Sequence, residues 1–455
     1  MKLTFLGASS TVTGSKYLIE HQDKKILVDC GLFQGLKKLR LLNWEEPKFN
    51  PSTIDAILLT HGHLDHTGYL PRLVKLGFKG KIFATAPTLK ITEIILKDTA
   101  KIQEEEAERA NKGGYSKHKP ALSLYDLKDV EETKKLFHQI EEGICVNVAD
   151  LFKVTFKYNG HILGSTFIQV EVAEKMIVFS GDLGREKDIL LYPPKKPHKA
   201  DILLIESTYG GKIHPDEKNV FSELEEIINE TINRGGSLFI PSFTVERVQL
   251  LMLILWRLLN AKKIPKVPMI MDSPMGSSIL DLFINSQDWH KLRADECNQM
   301  CSNFLQINNY NETMQVRGDN KPKIVIAGSG MISGGRILSY LEVRGANEND
   351  TLLFVGHQAE GTRGRKLLEG EREIKIYGNI IEFRMQIRKI ESLSAHADQN
   401  DLLNWLSDLK QKPNNIFIVH GEVDQSEAFK QKLKEIKNWD AEIPHLNQIV
   451  DLEIF

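Results

Sequence analysis

An α/β fold in two domains is what this sequence predicts, and three observations carry the prediction. Short apolar runs end repeatedly in a glycine-containing turn that holds a histidine or an acid. Past Gly210-Gly211 the pattern changes to strands alternating with amphipathic helices, which argues a parallel sheet. The chain has 455 residues, more than one hydrophobic core usually organises.

Composition narrows the function classes. A net charge of −2 excludes a pervasively basic nucleic-acid binder, so any nucleic-acid contact must be local. The longest apolar runs fall short of the ~18 residues a membrane span needs. The start, Met1-Lys2-Leu3-Thr4-Phe5-Leu6-Gly7, is too soon interrupted for a signal peptide. Four cysteines are too few for a disulfide framework of this length, which fits a reducing cytoplasm. Cys297 and Cys301 could share a helix face, but no second pair completes a metal site.

The elements follow in order. Strands are expected at residues 2–6, 17–21 and 25–29. Asp29 ends the third, beside Cys30-Gly31, either as a turn cap or as a group that orients a metal-bound histidine or water. The run Ile54–Leu59 is a buried strand leading into His61-Gly62-His63-Leu64-Asp65-His66. Three of the chain's 14 histidines fall in these six residues. One turn could aim His61 and His63 at one ion, and Asp65 and His66 at a second. Imidazole with carboxylate suits Zn(II), Mn(II) or Fe(II). A helix is expected over 88–110. Strand 152–158 delivers His161, strand 176–180 delivers Asp182, and strand 201–205 delivers Glu206. The two oxygens of Asp182 could bridge two ions.

The second pattern runs through helix 217–233, strand 237–240, helix 245–259, strand 269–272, helix 275–285 and strands 324–327 and 352–355. Gly328-Ser329-Gly330 and Gly361-Thr362-Arg363-Gly364-Arg365-Lys366 are glycine-rich loops, read either as tight turns or as phosphate cradles. Near the end, His396 sits in Ser-Ala-His-Ala-Asp, where it could cap the helix that follows. Strand 415–419 delivers His420.

Asp29, the His61–His66 run, His161, Asp182 and His420 resemble the metal motifs of the metallo-β-lactamase superfamily. Glu206 in Glu-Ser-Thr-Tyr-Gly, His396 and His420 resemble three further motifs of its β-CASP branch, which comprises nucleases such as RNase J and the endonuclease subunit of mRNA 3′-end cleavage. The resemblance covers nearly the whole chain in the family's order. It implies an αββα metallo-β-lactamase sandwich at 1–208 and 386–455, with an inserted α/β β-CASP domain at 209–385. It assigns His61, His63, His161 and Asp182 to one zinc, and Asp65, His66, Asp182 and His420 to a second, with manganese as the other candidate metal. Asp29, Asp65, Asp182, Glu206 and His396 are then the catalytic set, with His396 as proton donor held by Glu206. Candidate substrate contacts are Ser207, Ser329, Arg336, Arg363, Arg365 and Lys366. Two positions depart from the family's pattern: His357, where relatives often carry an aromatic, and Glu246, where they usually carry glycine.

The resemblance thus implies a cytoplasmic zinc ribonuclease acting on single-stranded RNA, cutting internally with 5′-3′ trimming also open, and allows a homodimer. A hydrolase of small esters or thioesters on the same fold would need neither the inserted domain nor the Glu206/His396 pair. A non-catalytic scaffold of an RNA-processing complex would be expected to have lost ligands, and this sequence keeps them.

Overall fold

Residues of the β-branched and aromatic runs alternate between two faces, so each strand serves two apolar layers at once. The computed structural model describes residues 1–114, 118–215, 217–242, 245–356, 358, 361–390 and 393–452. His357 lies outside the described residues. The chain divides into two compact units, Met1–Ile213 with His396–Phe455, and His214–Ala395. These divisions fall later than the sequence-based boundaries at 208 and 385. Residues 211 and 212 bond to Gln425 and Gln399 of the first unit. Strand Gln386–Lys389 pairs with Thr351–Phe354 inside the second.

The first unit holds two mixed sheets. One runs in the order Ile449–Asp451, Lys2–Phe5, Tyr17–His21, Lys24–Val28, Ala56–Leu58, Lys81–Thr85 and Phe137–Ile140. The other runs Asn415–Val419, Ile202–Glu206, Lys175–Phe179, Thr166–Val172, Phe152–Tyr158 and Cys145–Val148. Between them Phe5, Val28, Leu58, Phe156, Phe179, Leu204 and Phe417 form one core. Their sequence neighbours Leu27, Ile57, Leu203 and Ile418 face outward. There Leu27 and Ile57 pack with Leu70, Leu73, Leu89 and Leu96. Leu203 and Ile418 pack with Leu402, Trp405, Phe429 and Leu433. The helices carrying those residues are Leu70–Lys75, Ala86–Gly113, Gln399–Trp405 and Val423–Lys437. The result is the expected helix–sheet–sheet–helix layering.

The second unit is built on one fully parallel six-stranded sheet: Phe304–Ile307, Met269–Asp272, Ile324–Ala327, Leu238–Pro241, Thr351–Phe354 and Gln386–Lys389. Its central strands are buried throughout, as a parallel sheet covered on both faces requires. A hairpin, Glu373–Ile376 with Asn379–Glu382, stands beside it. Several strands have no counterpart in the sequence-based reading: 137–140, 145–148, 166–172, 304–307, 386–389, 449–451 and this hairpin.

At Glu246 the backbone has φ 64 and ψ −55, and Arg247 N donates to Val245 O at 2.8 Å. That is a γ-turn centred on a non-glycine residue, a strained arrangement that glycine adopts freely. The departure from the family's glycine is therefore a departure the backbone feels.

Candidate metal centre

Parallel pairing brings several strand ends of the first unit to one edge. Val28 is opposite Leu58 in one sheet, and Glu206 is opposite Val419 in the other. The residues that follow these strands therefore converge. Asp29 and His420 turn the chain with φ of 59 and 50, and Gly160, Gly164 and Gly181 supply further left-handed positions. Close backbone approach fixes the loops to one another. A Cβ on Gly31 would meet Asp65 O, and Ser15 N and Cys30 N donate to Asp65 O and His66 O at 2.9 and 2.7 Å. Asn159 Nδ2 donates to Ser180 O and Asp182 O at 3.1 and 2.7 Å, tying the His161 loop to the Asp182 loop. The Thr85 and Thr88 hydroxyls reach Gly164 O at 2.7 and 2.8 Å.

Two ligand groups result. His61, His63, His161 and Asp182 bring donor atoms together, and so do Asp65, His66, Asp182 and His420. In the first, His63 Nδ1 lies 3.1 Å from His61 Nε2 and 3.3 Å from His161 Nε2. Asp182 Oδ2 is 3.5 and 3.6 Å from those two Nε2 atoms. In the second, His66 Nε2 is 3.2 Å from both His420 Nε2 and Asp182 Oδ1. His420 Nε2 is 3.3 Å from Asp65 Oδ2. Zinc–nitrogen bonds of ~2.0–2.1 Å in a tetrahedron place ligand atoms ~3.3–3.4 Å apart, so both sets fit a small divalent ion. The two oxygens of Asp182 face different sets.

Electrostatics favour lone pairs over protons in the first group. Burial, the largest influence, holds His61 and His161 well below the usual imidazole range and brings His63 down to about 4. Burial also opposes charge on His66, but the Asp182 and Asp29 carboxylates outweigh it and raise that group, so a cation is attracted there. Burial would raise the Asp182 carboxyl, yet His420, His66 and His61 together hold it well below the carboxylate range. Cys30, beside Asp29 in sequence, is no ligand candidate, because burial pushes its thiol up to about 12.

Asp29 is in neither group. Its Oδ1 accepts Thr60 N at 2.8 Å, and its Oδ2 lies 2.7 Å from His66 Nδ1. It thus bonds both the turn backbone and a candidate ligand histidine, the latter through the nitrogen facing away from the cluster. His396 is in neither four-residue group but forms a third, three-residue group with Asp182 and Glu206, its Nδ1 3.3 Å from Glu206 Oε1 and 4.0 Å from Asp182 Oδ2. Burial disfavours its charge, but the Glu206 carboxylate prevails and raises it. Glu206 is itself fixed, accepting from Leu183 N at 2.6 Å and Thr208 N at 3.1 Å. The helix after His396 is capped by Asp398, which accepts from Asn400 N and Asp401 N, rather than by the histidine.

The expected substrate contacts are arranged differently from one another. Ser207 is fully buried, and its hydroxyl donates to Val419 O at 3.0 Å with Ser426 Oγ at 2.9 Å. It braces the His420 strand and is not presented to solvent. In the second unit, Ser329 Oγ accepts from Ser333 N, and Arg336 donates to Thr313 Oγ1 and lies over the Tyr310 ring. Arg363 donates to the carbonyls of Ile332, Ser333 and Lys375. Arg365 and Lys366 lie at exposed sites, paired with Glu369 and Glu371. Residues missed from sequence are Thr60, Asn159 and Thr208; Thr208 Oγ1 lies 3.2 Å from His420 Nδ1. A threonine or asparagine next to a turn carries no signal that separates it from an ordinary cap.

Two sheets flanked by helices, with paired ligand groups at their shared edge, define a metal-dependent hydrolase of the metallo-β-lactamase type. Comparison with known proteins adds the branch. Residues 12–88 match the metallo-beta-lactamase superfamily, 248–367 the Beta-Casp domain, and 380–444 the Zn-dependent metallo-hydrolase RNA specificity domain. A ribonuclease of Thermus thermophilus is 33% identical over 438 residues, covering 93% of this chain and 94% of its own. An RNase J-like protein of Methanocaldococcus jannaschii is 31% identical, with 94% of each chain covered. The transcription termination factor FttA of the same organism is 29% identical over 98% of this chain and 70% of its own. A crystal structure of an Enterococcus faecalis protein of unknown function has the same fold, with TM-score 0.55, 12% identity and 99% coverage of both chains. The chain belongs to the β-CASP ribonuclease family of the metallo-β-lactamase superfamily.

Proposed function

We propose that this protein hydrolyses phosphodiester bonds of single-stranded RNA with two zinc ions per chain, leaving a 5′-phosphate and a 3′-hydroxyl. The observation that carries the reading is the division of Asp182, whose Oδ2 faces His61 and His161 while Oδ1 faces His66. A carboxylate so divided suits two ions at the ~3.5–4 Å spacing of two-metal hydrolases. Two bound divalent ions would supply a hydroxide nucleophile at neutral pH and positive charge against the phosphate.

The chain's own residues do the rest. The Glu206 carboxylate accepts from His396 Nδ1–H and turns the other nitrogen, Nε2, towards the departing 3′-oxygen. His396 Nε2–H then supplies the proton that makes the 3′-hydroxyl. Asp29 keeps His66 in the tautomer whose Nε2 carries a lone pair. Ser329, Arg336, Arg363, Arg365 and Lys366 are proposed phosphate contacts; binding by the last two would break their pairs with Glu369 and Glu371. Four cysteines without disulfides among the described residues suit a reducing, cytoplasmic setting. No helix of the described residues is long and apolar enough to cross a membrane.

The test is single-stranded RNA labelled at one end or the other, incubated with the zinc-loaded chain. Fragments from both labels, with 5′-phosphate and 3′-hydroxyl ends, are expected. A fully metallated chain that leaves RNA intact but hydrolyses a small ester or thioester would replace this reading.

A further inference from the structure

We infer that Thr60 is a positioning residue that sets the His61 tautomer through a directed chain of hydrogen bonds, anchored on the same carboxylate that orients His66 of the other group. This rests on the reading of the cluster as a two-ion centre. The Thr60 hydroxyl lies 2.8 Å from Asp29 Oδ2 and 3.0 Å from His61 Nδ1. Asp29 Oδ2 also receives His66 Nδ1, at 2.7 Å. His61 belongs to one ligand group and His66 to the other.

The order of protons in this chain follows from what each atom can do. A carboxylate only accepts, so Asp29 Oδ2 takes a proton from Thr60 Oγ1 and another from His66 Nδ1. The threonine hydroxyl has a single proton, now committed to Asp29. Its oxygen can therefore only accept from His61, which fixes the proton on His61 Nδ1. His61 Nε2 is left with its lone pair, aimed at His63 Nδ1 and Asp182 Oδ2. Reversing the hydroxyl would leave the carboxylate facing an oxygen lone pair and put the His61 proton on Nε2, where an ion must bind. Thr60 thus orders His61 directly and shares with His66 the carboxylate that orders that histidine.

Local packing keeps the hydroxyl in place. Thr60 is 1% exposed, so water does not compete for the two bonds. A Cβ on Gly181, at φ 55, would stand 2.8 Å from Thr60 Cβ, so the glycine next to Asp182 makes room for this side chain. Thr166 N donates to Thr60 O at 2.9 Å and ties its backbone to the second sheet.

The variants are Thr60→Val, which keeps the shape and deletes the hydroxyl, and Thr60→Ser, which keeps the hydroxyl. Full-length chains, stripped of metal, are titrated with zinc against a chromophoric chelator of known affinity. Loss of a partner behind a ligand histidine costs ~10–100-fold in metal affinity. Thr60→Val should lose about that much at one of two sites, and less at the other, whereas Thr60→Ser should stay within about threefold of wild type. Equal affinities in wild type and Thr60→Val overturn the inference. So does a Thr60→Ser as weak as Thr60→Val, which would make the methyl group the important part. A second measurement needs no variant to fold: nitrogen NMR of the metal-free wild type should find the His61 proton on Nδ1. Finding it on Nε2 overturns the inference. Wild type that binds no zinc would instead defeat the two-ion reading, and the NMR result would still decide the Thr60 chain.

Discussion

Replacing His396 by alanine separates proton donation from metal binding. His396 lies outside both four-residue groups. The third group it forms with Asp182 and Glu206 offers three donors, and its Nδ1 stands 4.0 Å from Asp182 Oδ2, too far to share a ~2 Å coordination sphere tightly. The variant should therefore keep its full complement of two ions. What it loses is the donor at Nε2 and the hydrogen bond at 3.3 Å that orients it. General acid catalysis contributes ~10²–10⁴-fold, equivalent to ~3–5 kcal/mol of transition-state stabilisation. A ribose oxygen is a poor leaving group, so a loss of at least roughly 100-fold in kcat/KM is expected. Glu206→Gln keeps an acceptor oxygen beside His396 but removes the charge. It should fall between wild type and His396→Ala. Single-turnover cleavage of end-labelled RNA reads the rates, and metal analysis of the same preparations reads occupancy. A His396→Ala chain with both ions that cleaves within about threefold of wild type would refute the proton-donor role. A variant that lost its metal would move His396 from donor to ligand.

Other consequences concern the scaffold. Glu93, 8% exposed, receives Lys134, Lys97 and Lys90 at 2.7, 2.9 and 3.1 Å. Burial alone would raise its pKa, but the three ammonium groups bring it down to about 2. An unfolded glutamate titrates near ~4.3, so the folded chain binds fewer protons between these values. The group's stabilisation is complete above pH ~4.3 and is lost as pH falls towards 2. The lysines are half-exposed and screened, so Glu93→Gln should cost about 1 kcal/mol at neutral pH. Thermal melts at pH 7 should show this loss, and melts near pH 3 a smaller one. Glu246→Gly should raise stability by about 1 kcal/mol, because γ-turn strain of ~1–3 kcal/mol exceeds the entropic cost of glycine. Denaturant titration checks the sign, and a fall in stability would show the turn to be unstrained.

The candidate ligands were legible because each follows an apolar strand and comes with a glycine or a second candidate, as in Asn159-Gly160-His161 and Gly181-Asp182. The parallel sheet of the second unit was legible because its central strands are uniformly apolar. Edge strands such as Phe137–Ile140 and Cys145–Val148 escaped notice because each is four residues long with a single buried side chain, so no apolar run marks it. Ser207 shows a different limit. A serine one residue past a strand can face solvent or the neighbouring strand, and register decides which; here it bonds to Val419 and Ser426. Thr60 was passed over for the same reason, since its value depends on Asp29, thirty-one residues earlier in the chain.

Adding metal back to stripped protein tests the central claim most directly. Cleavage of single-stranded RNA is followed as zinc is added in fractions of an equivalent. The arrangement of two groups around Asp182 predicts no cleavage without metal and full activity when two ions are bound per chain. Cleavage by the metal-free chain, or none with both ions in place, would contradict it.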